Sequence, residues 1–284
     1  MAALPPELMQ EIISAYVEGR STLAASIATV SRDFNDWVKP VLSKTLMYYH
    51  EEPAKHWPVP VHELPQWLRN NGKYVRNVMW GIDVKDLLDV FNQCPGITDL
   101  AVWVNVSWND LTTLLPSLSN IQLSNLSINL YNLCGRRNFS KQEAERAVFR
   151  TITHLELFHN IKSWDDFEGI AYLPRLTHLC LPEGMSTPSS HDDISRVLQH
   201  CKQLKVLVII AGGLFPSSGQ NRVIQSDTLF NSDEDDPRVV ALARDCLDDW
   251  VYGATGRKDM WALADEIVER RLIDRRYKEN TNDV

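Results

Sequence analysis

Two histidines recur at the same place in two similar segments, and they are the first candidates for chemistry. In I-T-H-L-E-L and L-T-H-L-C-L, His154 and His178 are each followed two residues later by a second possible ligand, Glu156 or Cys180. Imidazole, carboxylate and thiolate groups all bind zinc, but a closed zinc site takes four of them at regular spacing. Two histidines on a protein surface explain the same pattern, so we expect no metal and no cofactor.

A glycine-containing segment, Gly253-Ala-Thr-Gly-Arg-Lys258, is the second candidate and would bind phosphate. A P-loop needs glycine directly before the lysine and a hydroxyl residue after it, whereas Arg257 and Asp259 occupy those places. The segment therefore predicts a turn between two helices. The chain also contains no G-x-S-x-G motif, and no carboxylate pair is evidently placed for acid–base catalysis. We expect a protein that is not an enzyme, and an enzyme within an α/β fold stays open as an alternative.

Composition restricts the remaining classes of function. A formal net charge of −8 argues against a general nucleic-acid binder, which needs a broad basic surface. The five cysteines are scattered and odd in number, which is typical of reduced thiols in an intracellular protein. No apolar run is long enough for a membrane span. We expect a soluble protein, cytoplasmic and/or nuclear, with neither nucleic acid nor membrane as a partner.

The two histidine segments belong to a longer series that predicts the elements around them. A unit of the form L-x-x-L-x-L, with β-branched residues at some of its positions, returns six times and is followed in several cases by a helical pattern. The units span residues 75–80, 97–102, 123–128, 152–157, 176–181 and 204–209. The helical patterns span residues 84–91, 110–115, 165–172 and 192–198. Recurrence of this unit every 22 to 29 residues resembles an irregular leucine-rich repeat of the fungal kind.

This resemblance implies an α/β solenoid with parallel strands on one side and helices on the other. Stacking buries the apolar faces that a single unit cannot bury alone. A first, degenerate strand is expected at residues 46–50. After an acidic linker at residues 232–236, a helix with Trp261, Ala264, Val268 and Leu272 on one stripe is expected to cap the end. The alternative is an ordinary α/β sheet whose strands happen to share a pattern.

The first fifty residues predict three short amphipathic helices. Leu8, Ile12 and Tyr16 form an i, i+4, i+8 stripe, Ser31 can cap the third helix, and Pro40 is expected to end it. The motifs L-P-x-E-L-x-x-E-I-I, from Leu4, and V-S-R-x-F-N-x-W, from Val30, resemble an F-box, more narrowly the F-box-like modules of fungal repeat proteins.

The resemblance to an F-box covers roughly residues 3–46 and implies docking to the Skp-type linker subunit of an SCF ubiquitin ligase. The residues that match the linker-binding part of the motif are Leu4, Pro5, Leu8, Ile12, Ile13, Leu23 and Val30. We therefore expect an F-box-like module (1–46), a connector with a first degenerate repeat (47–73), a repeat solenoid (74–231), and an acidic linker with a helical cap (232–284). The alternative is a repeat scaffold whose leading helices serve only as a cap.

The second surface of such an adaptor would bind an unidentified target protein. In each strand the leucines point inward, and the residues between and just after them point to the concave face. A polar centre flanked by aromatic side chains suits a partner that inserts anchoring groups. The candidate target-binding residues are Trp103, Asn129, His154, Glu156, Phe158 and His178.

Overall fold

Among the described residues, nine strands form one sheet, and eight of them run parallel. The structure is a computed structural model and describes residues 4–18, 20–48, 60–104, 111–135, 137–158, 164–182, 190–210, 222–223, 236–243 and 245–282. The strands are β1 (Thr45–Tyr48), β2 (Asn77–Trp80), β3 (Asp99–Val102), β4 (Asn125–Ile128), β5 (His154–Leu157), β6 (His178–Pro182), β7 (Val206–Ile210), β8 (Arg222–Val223) and β9 (Val239–Ala243). Their order is β1-β2-β3-β4-β5-β6-β7-β9-β8, and only the pairing of β8 with β9 is antiparallel. The α/β class with parallel strands is confirmed.

Strands β2 to β7 coincide with the six units found in the sequence, and β1 lies where the degenerate strand was expected. Their register aligns the fourth position of every unit, Val78 with Leu100, Leu126, Leu155, Leu179 and Leu207. Each of these side chains is buried in the main core together with the residue two places further on. The repeated apolar positions therefore build one continuous core along the sheet.

Helices and turns between the strands complete this core on one face of the sheet. They are α4 (Leu64–Asn71), α5 (Lys85–Gln93), α6 (Leu115–Leu118), α7 (Leu130–Leu133), α8 (Lys141–Ala144) and α9 (Ser190–His200), with 3₁₀ helices at Val61–Glu63, Gly72–Tyr74, Ala147–Phe149, Trp164–Asp166 and Glu168–Tyr172. The patterns at 84–91 and 192–198 correspond to α5 and α9. Residue 110 of the second pattern lies outside the described residues.

Two of the helical patterns differ from the structure. The pattern at 110–115 runs up to Pro116, a residue that breaks the interior of a helix, but Pro116 lies in the first turn of α6, where a missing N–H costs little. The pattern at 165–172 forms two 3₁₀ helices instead of an α-helix. The backbone at Phe139 lies against this segment, since Phe139 N–H donates to the Asp166 carbonyl and Gly169 N–H donates to the Phe139 carbonyl, each over 2.7 Å. These hydrogen bonds take the place of the regular α-helical pattern.

Three helices precede the sheet: α1 (Pro6–Val17), α2 (Ser21–Ala28) and α3 (Arg32–Leu42). They share a small core of Val17, Ala24 and Val38. Ser31 caps α3 as expected, because its Oγ accepts from the Phe34 N–H over 3.2 Å. Pro40 does not end α3, which continues to Leu42. So close to the end of the helix, a proline removes only one hydrogen bond.

Two further helices follow the last strand. They are α10 (Cys246–Ala254) and α11 (Met260–Asn282), joined by the turn that the glycine-containing segment predicted. Gly256 has φ 75°, a backbone conformation that glycine adopts without strain. The expected acidic linker at 232–236 lies outside the described residues except for Asp236. None of the helices among the described residues is long and apolar enough to cross a membrane.

Candidate functional site

An apolar stripe on helix α1 is exposed to solvent. Leu4, Leu8, Ile12 and Tyr16 follow one another at intervals of four residues, and each is between 46% and 57% exposed. Val30, after α2, is 65% exposed. Large apolar side chains scattered singly on a surface are ordinary, but a contiguous patch marks an interaction site. We call Leu4, Leu8, Ile12 and Tyr16 the α1 stripe and describe Val30 separately.

The structure separates the expected linker-binding residues into two groups. Leu4, Leu8 and Ile12 belong to the α1 stripe, Val30 is exposed after α2, and Pro5 is exposed directly before α1. Ile13 and Leu23 are instead partly buried against the small core of the three helices. Their exposure was expected from the motif alone, whereas the core of so small a module needs them. Tyr16 was recognised as part of the periodic stripe but not as a contact residue.

A second candidate lies on the sheet face opposite the main core. The first residues of β2 to β6 form one row across the strands, Asn77, Asp99, Asn125, His154 and His178. Neighbours in this row interact, since Asn125 Nδ2 donates to Asp99 Oδ1. The repeat therefore places one polar side chain at the same register position on each strand from β2 to β6.

The two histidines of this row stack on each other. Their ring centroids are 4.1 Å apart at an interplanar angle of 12°, and Trp261 of α11 packs edge-on against both rings. His178 Nε2 lies 3.0 Å from Asp265 Oδ1, also on α11. The Nδ1 atom of each histidine forms a hydrogen bond with the hydroxyl of the preceding threonine. Among the described residues, no three His, Cys, Asp or Glu side chains are grouped so that they could hold a metal ion.

Burial makes His154 sensitive to acid. Burial and the adjacent His178 lower the pKa of His154 from 6.5 to about 4, against a smaller opposing effect of Asp265. The unfolded chain therefore binds this proton more readily than the folded chain does. Stability that is present above pH 6.5 is lost as the pH falls towards 4.

We expect His154→Phe to reduce this loss, because phenylalanine can keep the ring stack but cannot take up a proton. At pH 5 the protonation cost of His154 amounts to about 2 kcal/mol. Urea unfolding at pH 7 and pH 5 measures the difference, and the wild type should lose about 2 kcal/mol more than the variant over this interval. His200→Phe, at an exposed histidine, is the control and should behave like the wild type. An equal acid loss in His154→Phe would contradict the assignment.

Helices α10 and α11 cover the face on which the target was expected to bind. Trp103, Glu156 and His178 are only 6%, 8% and 7% exposed, so their expected exposure is wrong. The indole of Trp103 stacks on Phe158 with centroids 5.1 Å apart, and its Nε1 donates to Ser127 Oγ over 2.7 Å. These aromatic side chains pack against α10 and do not flank an open surface.

Asn129 has a local structural role. Its side-chain oxygen accepts from the Asn132 N–H over 3.0 Å, which caps helix α7. Asparagine is among the preferred residues at this position. The residue was selected because it follows β4, but at the end of the strand the chain already turns into a helix.

The C-terminal helices pack against the face of the sheet opposite the main core. Met260, Ala264 and Val268 of α11 are buried against β7 and β9, while Leu272 is 39% exposed. Helix α10 packs over β1 to β3 instead, where Cys246 contacts the cluster of Met47, Met79 and Ala101. Both outer parts of the sheet face are therefore covered by apolar contacts.

Between these two contacts, over the middle strands, a cavity of about 120 Å³ remains. Asp99 and Glu156 line it from the sheet, and Asp249 and Asp259 line it from the helices. The described residues that line it include His154 but no lysine or arginine. Burial raises the pKa of the Asp99 carboxyl and Asp259 adds to that rise, while hydrogen bonds from Thr98 and Asn125 and the charge of Lys44 oppose it. Carboxyl groups of the sheet and of the helices thus line one cavity.

Comparison with known proteins adds no identification, since no family model and no curated protein matches this chain.

Proposed function

We propose that this chain is a non-catalytic adaptor of an SCF-type ubiquitin ligase. Its three leading helices dock as an F-box-like module on the Skp-type linker subunit, and its sheet domain, a leucine-rich-repeat solenoid, holds a target protein. The observation that carries this proposal is the α1 stripe. Four large apolar side chains are exposed along one helix face of a module that has only three fully buried core residues.

The physical argument starts from the size of the module. Three helices in about forty residues have little interior, so their stability gains from contact with another surface. Burying a leucine or isoleucine side chain stabilises a complex by about 1.5–3 kcal/mol. The stripe offers several such groups in the i, i+4 arrangement with which a helix fits into a groove.

The sheet domain supports the other half of the proposal. From β1 to β7 the strand order follows the chain, and the apolar positions of successive units are in register, as in a stacked repeat. Such a sheet presents a long face with one variable side chain per strand. Helices α10 and α11 lie over this face in the structure, so we assign target binding to the sheet domain as a whole and not to Trp103, Glu156 or His178, which are buried there.

The experiment is direct binding of the purified full-length chain to a purified Skp-type linker subunit, measured by isothermal titration calorimetry. A complex with a dissociation constant of about 1 μM or tighter, corresponding to roughly −8 kcal/mol, supports the adaptor role. Absence of binding by a folded chain would instead favour a repeat scaffold that works without a ligase.

A further inference from the structure

A groove of about 990 Å³ lies beside the second half of α11, where β7 and β9 begin. We call it the α11 groove. The described residues that line it belong to three segments, 202–206, 236–238 and 265–276. Its volume is at the upper end of the range for ligand pockets, about 300–1,000 Å³, so several residues of a peptide fit inside. Its apolar lining consists of Leu204, Val206, Pro237, Val268, Leu272 and Ile273.

The apolar stripe of α11 continues into this groove. Met260, Ala264 and Val268 are buried against β7 and β9, and Leu272 follows at the same interval of four residues. Leu272 and Ile273 are 39% and 44% exposed, whereas Val268 is 6% exposed. Neighbouring exposed apolar side chains at the wall of a large cavity indicate an interaction site. This part of the stripe is therefore available to another molecule.

The charged side chains of the groove carry an excess of positive charge. Four cations and three carboxylates line it, on a chain whose formal net charge is −8. Arg238 Nη2 donates to Asp236 Oδ2 over 2.7 Å, so these two charges neutralise each other, and Asp265 Oδ1 lies 3.0 Å from His178 Nε2. The other charged side chains of the lining form no ion pair or hydrogen bond within the described part of the chain, and they are Lys202, Lys205, Glu269 and Arg276.

The surrounding positive charge acts on the carboxyl group of Asp236. Burial raises the pKa of this group, but hydrogen bonds from Arg238 and the charges of Arg238 and Arg275 lower it, and the result lies below its ordinary value. Charge of the same sign would stabilise a carboxylate that enters the groove from outside. A basic rim around an apolar floor is complementary to a partner that combines acidic with apolar side chains.

We propose that the α11 groove binds an acidic peptide segment of another protein. The apolar side chains of that segment pack against Leu272 and Ile273, and its carboxylates pair with Lys202, Lys205 and Arg276. As the target-binding site of the adaptor, the groove rests on the proposed function, whereas peptide binding by the groove does not.

Fluorescence anisotropy with the purified full-length chain at pH 7 tests the groove. The probe is a short fluorescein-labelled peptide in which two adjacent leucines are flanked on both sides by glutamates. At about 50 mM salt, where charges are weakly screened, we expect a dissociation constant of about 100 μM or tighter. Peptides with lysine in place of glutamate, or serine in place of leucine, should bind at least about tenfold more weakly. Absence of binding, or equal affinity for the three peptides, would overturn the proposal.

Charge variants provide the matched comparison. Lys202→Gln together with Lys205→Gln should weaken binding of the acidic peptide about fivefold or more, and Glu269→Gln should tighten it about twofold. Lys73→Gln together with Lys85→Gln makes the same change in net charge before and after β2, near the opposite end of the sheet, and should leave the affinity unchanged. Equal effects of the two double variants would contradict the assignment.

Leu272→Ser tests the apolar part of the groove. The side chain is exposed, so the variant should keep the circular dichroism spectrum of the wild type while it binds the peptide at least about fivefold more weakly. Sedimentation equilibrium of the chain alone distinguishes the other occupant, because a dimer that Leu272→Ser dissociates would place a second copy in the groove and overturn the proposal. The linker subunit is absent from all these measurements, so their failure and the failure of the ligase role are distinguishable.

Discussion

A chain that carries Leu8→Asp together with Ile12→Asp is expected to bind the linker subunit at least roughly a hundredfold more weakly than the wild type, a loss of about 2.8 kcal/mol. Both side chains belong to the exposed α1 stripe, and an aspartate there would place a charge in an apolar interface. Because neither residue is in the small core, the module should keep its fold. Titration calorimetry with the purified linker measures the loss.

The control for this experiment lies on the same helix. Gln10 is exposed but points away from the stripe, so Gln10→Asp introduces the same charged residue without entering the proposed interface. We expect its affinity to remain within about twofold of the wild type. Circular dichroism should show equal helix content in all three chains. Equal affinity of the double variant and the wild type would remove the α1 stripe from the interface.

Gly169→Ala is expected to have the largest effect on folding. A Cβ atom at residue 169 would lie 2.3 Å from the carbonyl oxygen of Phe139 and 2.4 Å from that of Ser140. Both obstacles are backbone atoms held by the hydrogen bonds that join this segment to the 3₁₀ helices, so they cannot rotate away. We expect Gly169→Ala to lower the free energy of unfolding by about 3 kcal/mol or more, which is the upper end of the range for overpacking a core. Urea unfolding at pH 7 measures this change.

Gly253→Ala is the matched control, because its Cβ would meet mainly the carboxylate end of Asp259, 2.7 Å away. A flexible side chain can move, and alanine favours the α10 helix over glycine by up to about 1 kcal/mol. The free energy of unfolding should therefore change by less than about 1 kcal/mol. Similar losses in both variants would contradict the proposed backbone contact at Gly169.

The main sheet could be predicted from the sequence because its strands repeat one chemical pattern. Leu126, Leu155 and Leu179 are each surrounded by residues that alternate in polarity, and a parallel pairing is the only one that keeps such units in register along the chain. The turn at Gly253–Lys258 was predictable as well, since its composition excludes a phosphate loop. These features depend on local pattern and on contacts between successive units.

The packing of α10 and α11 over the sheet face could not be predicted in the same way. It depends on contacts between segments far apart in the sequence, such as Cys246 with Met79, and no local periodicity records them. The outward positions of β1 to β3 do carry a signal, because Met47, Met79 and Ala101 are apolar where a solvated face would be polar. Such a row indicates a second apolar layer. From the sequence alone, the apolar row of Met47, Met79 and Ala101 therefore argues against the exposure of the neighbouring Trp103 and Phe158.

The short 3₁₀ helices show a different limit. The pattern at residues 165–172 has helical spacing, and the segment is helical in the broad sense. Its exact form is decided by Phe139, whose backbone hydrogen bonds to Asp166 and Gly169 compete with the α-helical ones. Helix propensity depends on the local sequence and cannot predict such a competition, because the hydrogen-bonding partner comes from another part of the chain.

The hydrogen bond from Thr45 to Ala254 joins residues 209 positions apart in an otherwise sequential array. In a stack where each unit touches only its neighbours, either end can fray without disturbing the other. In this protein α10 links the first strand to a segment that follows β9 in the chain, so two distant parts of the array are joined directly. Melting should therefore be cooperative across all units while α10 stays in place, and refolding should be slow, because this contact bridges a long separation in sequence.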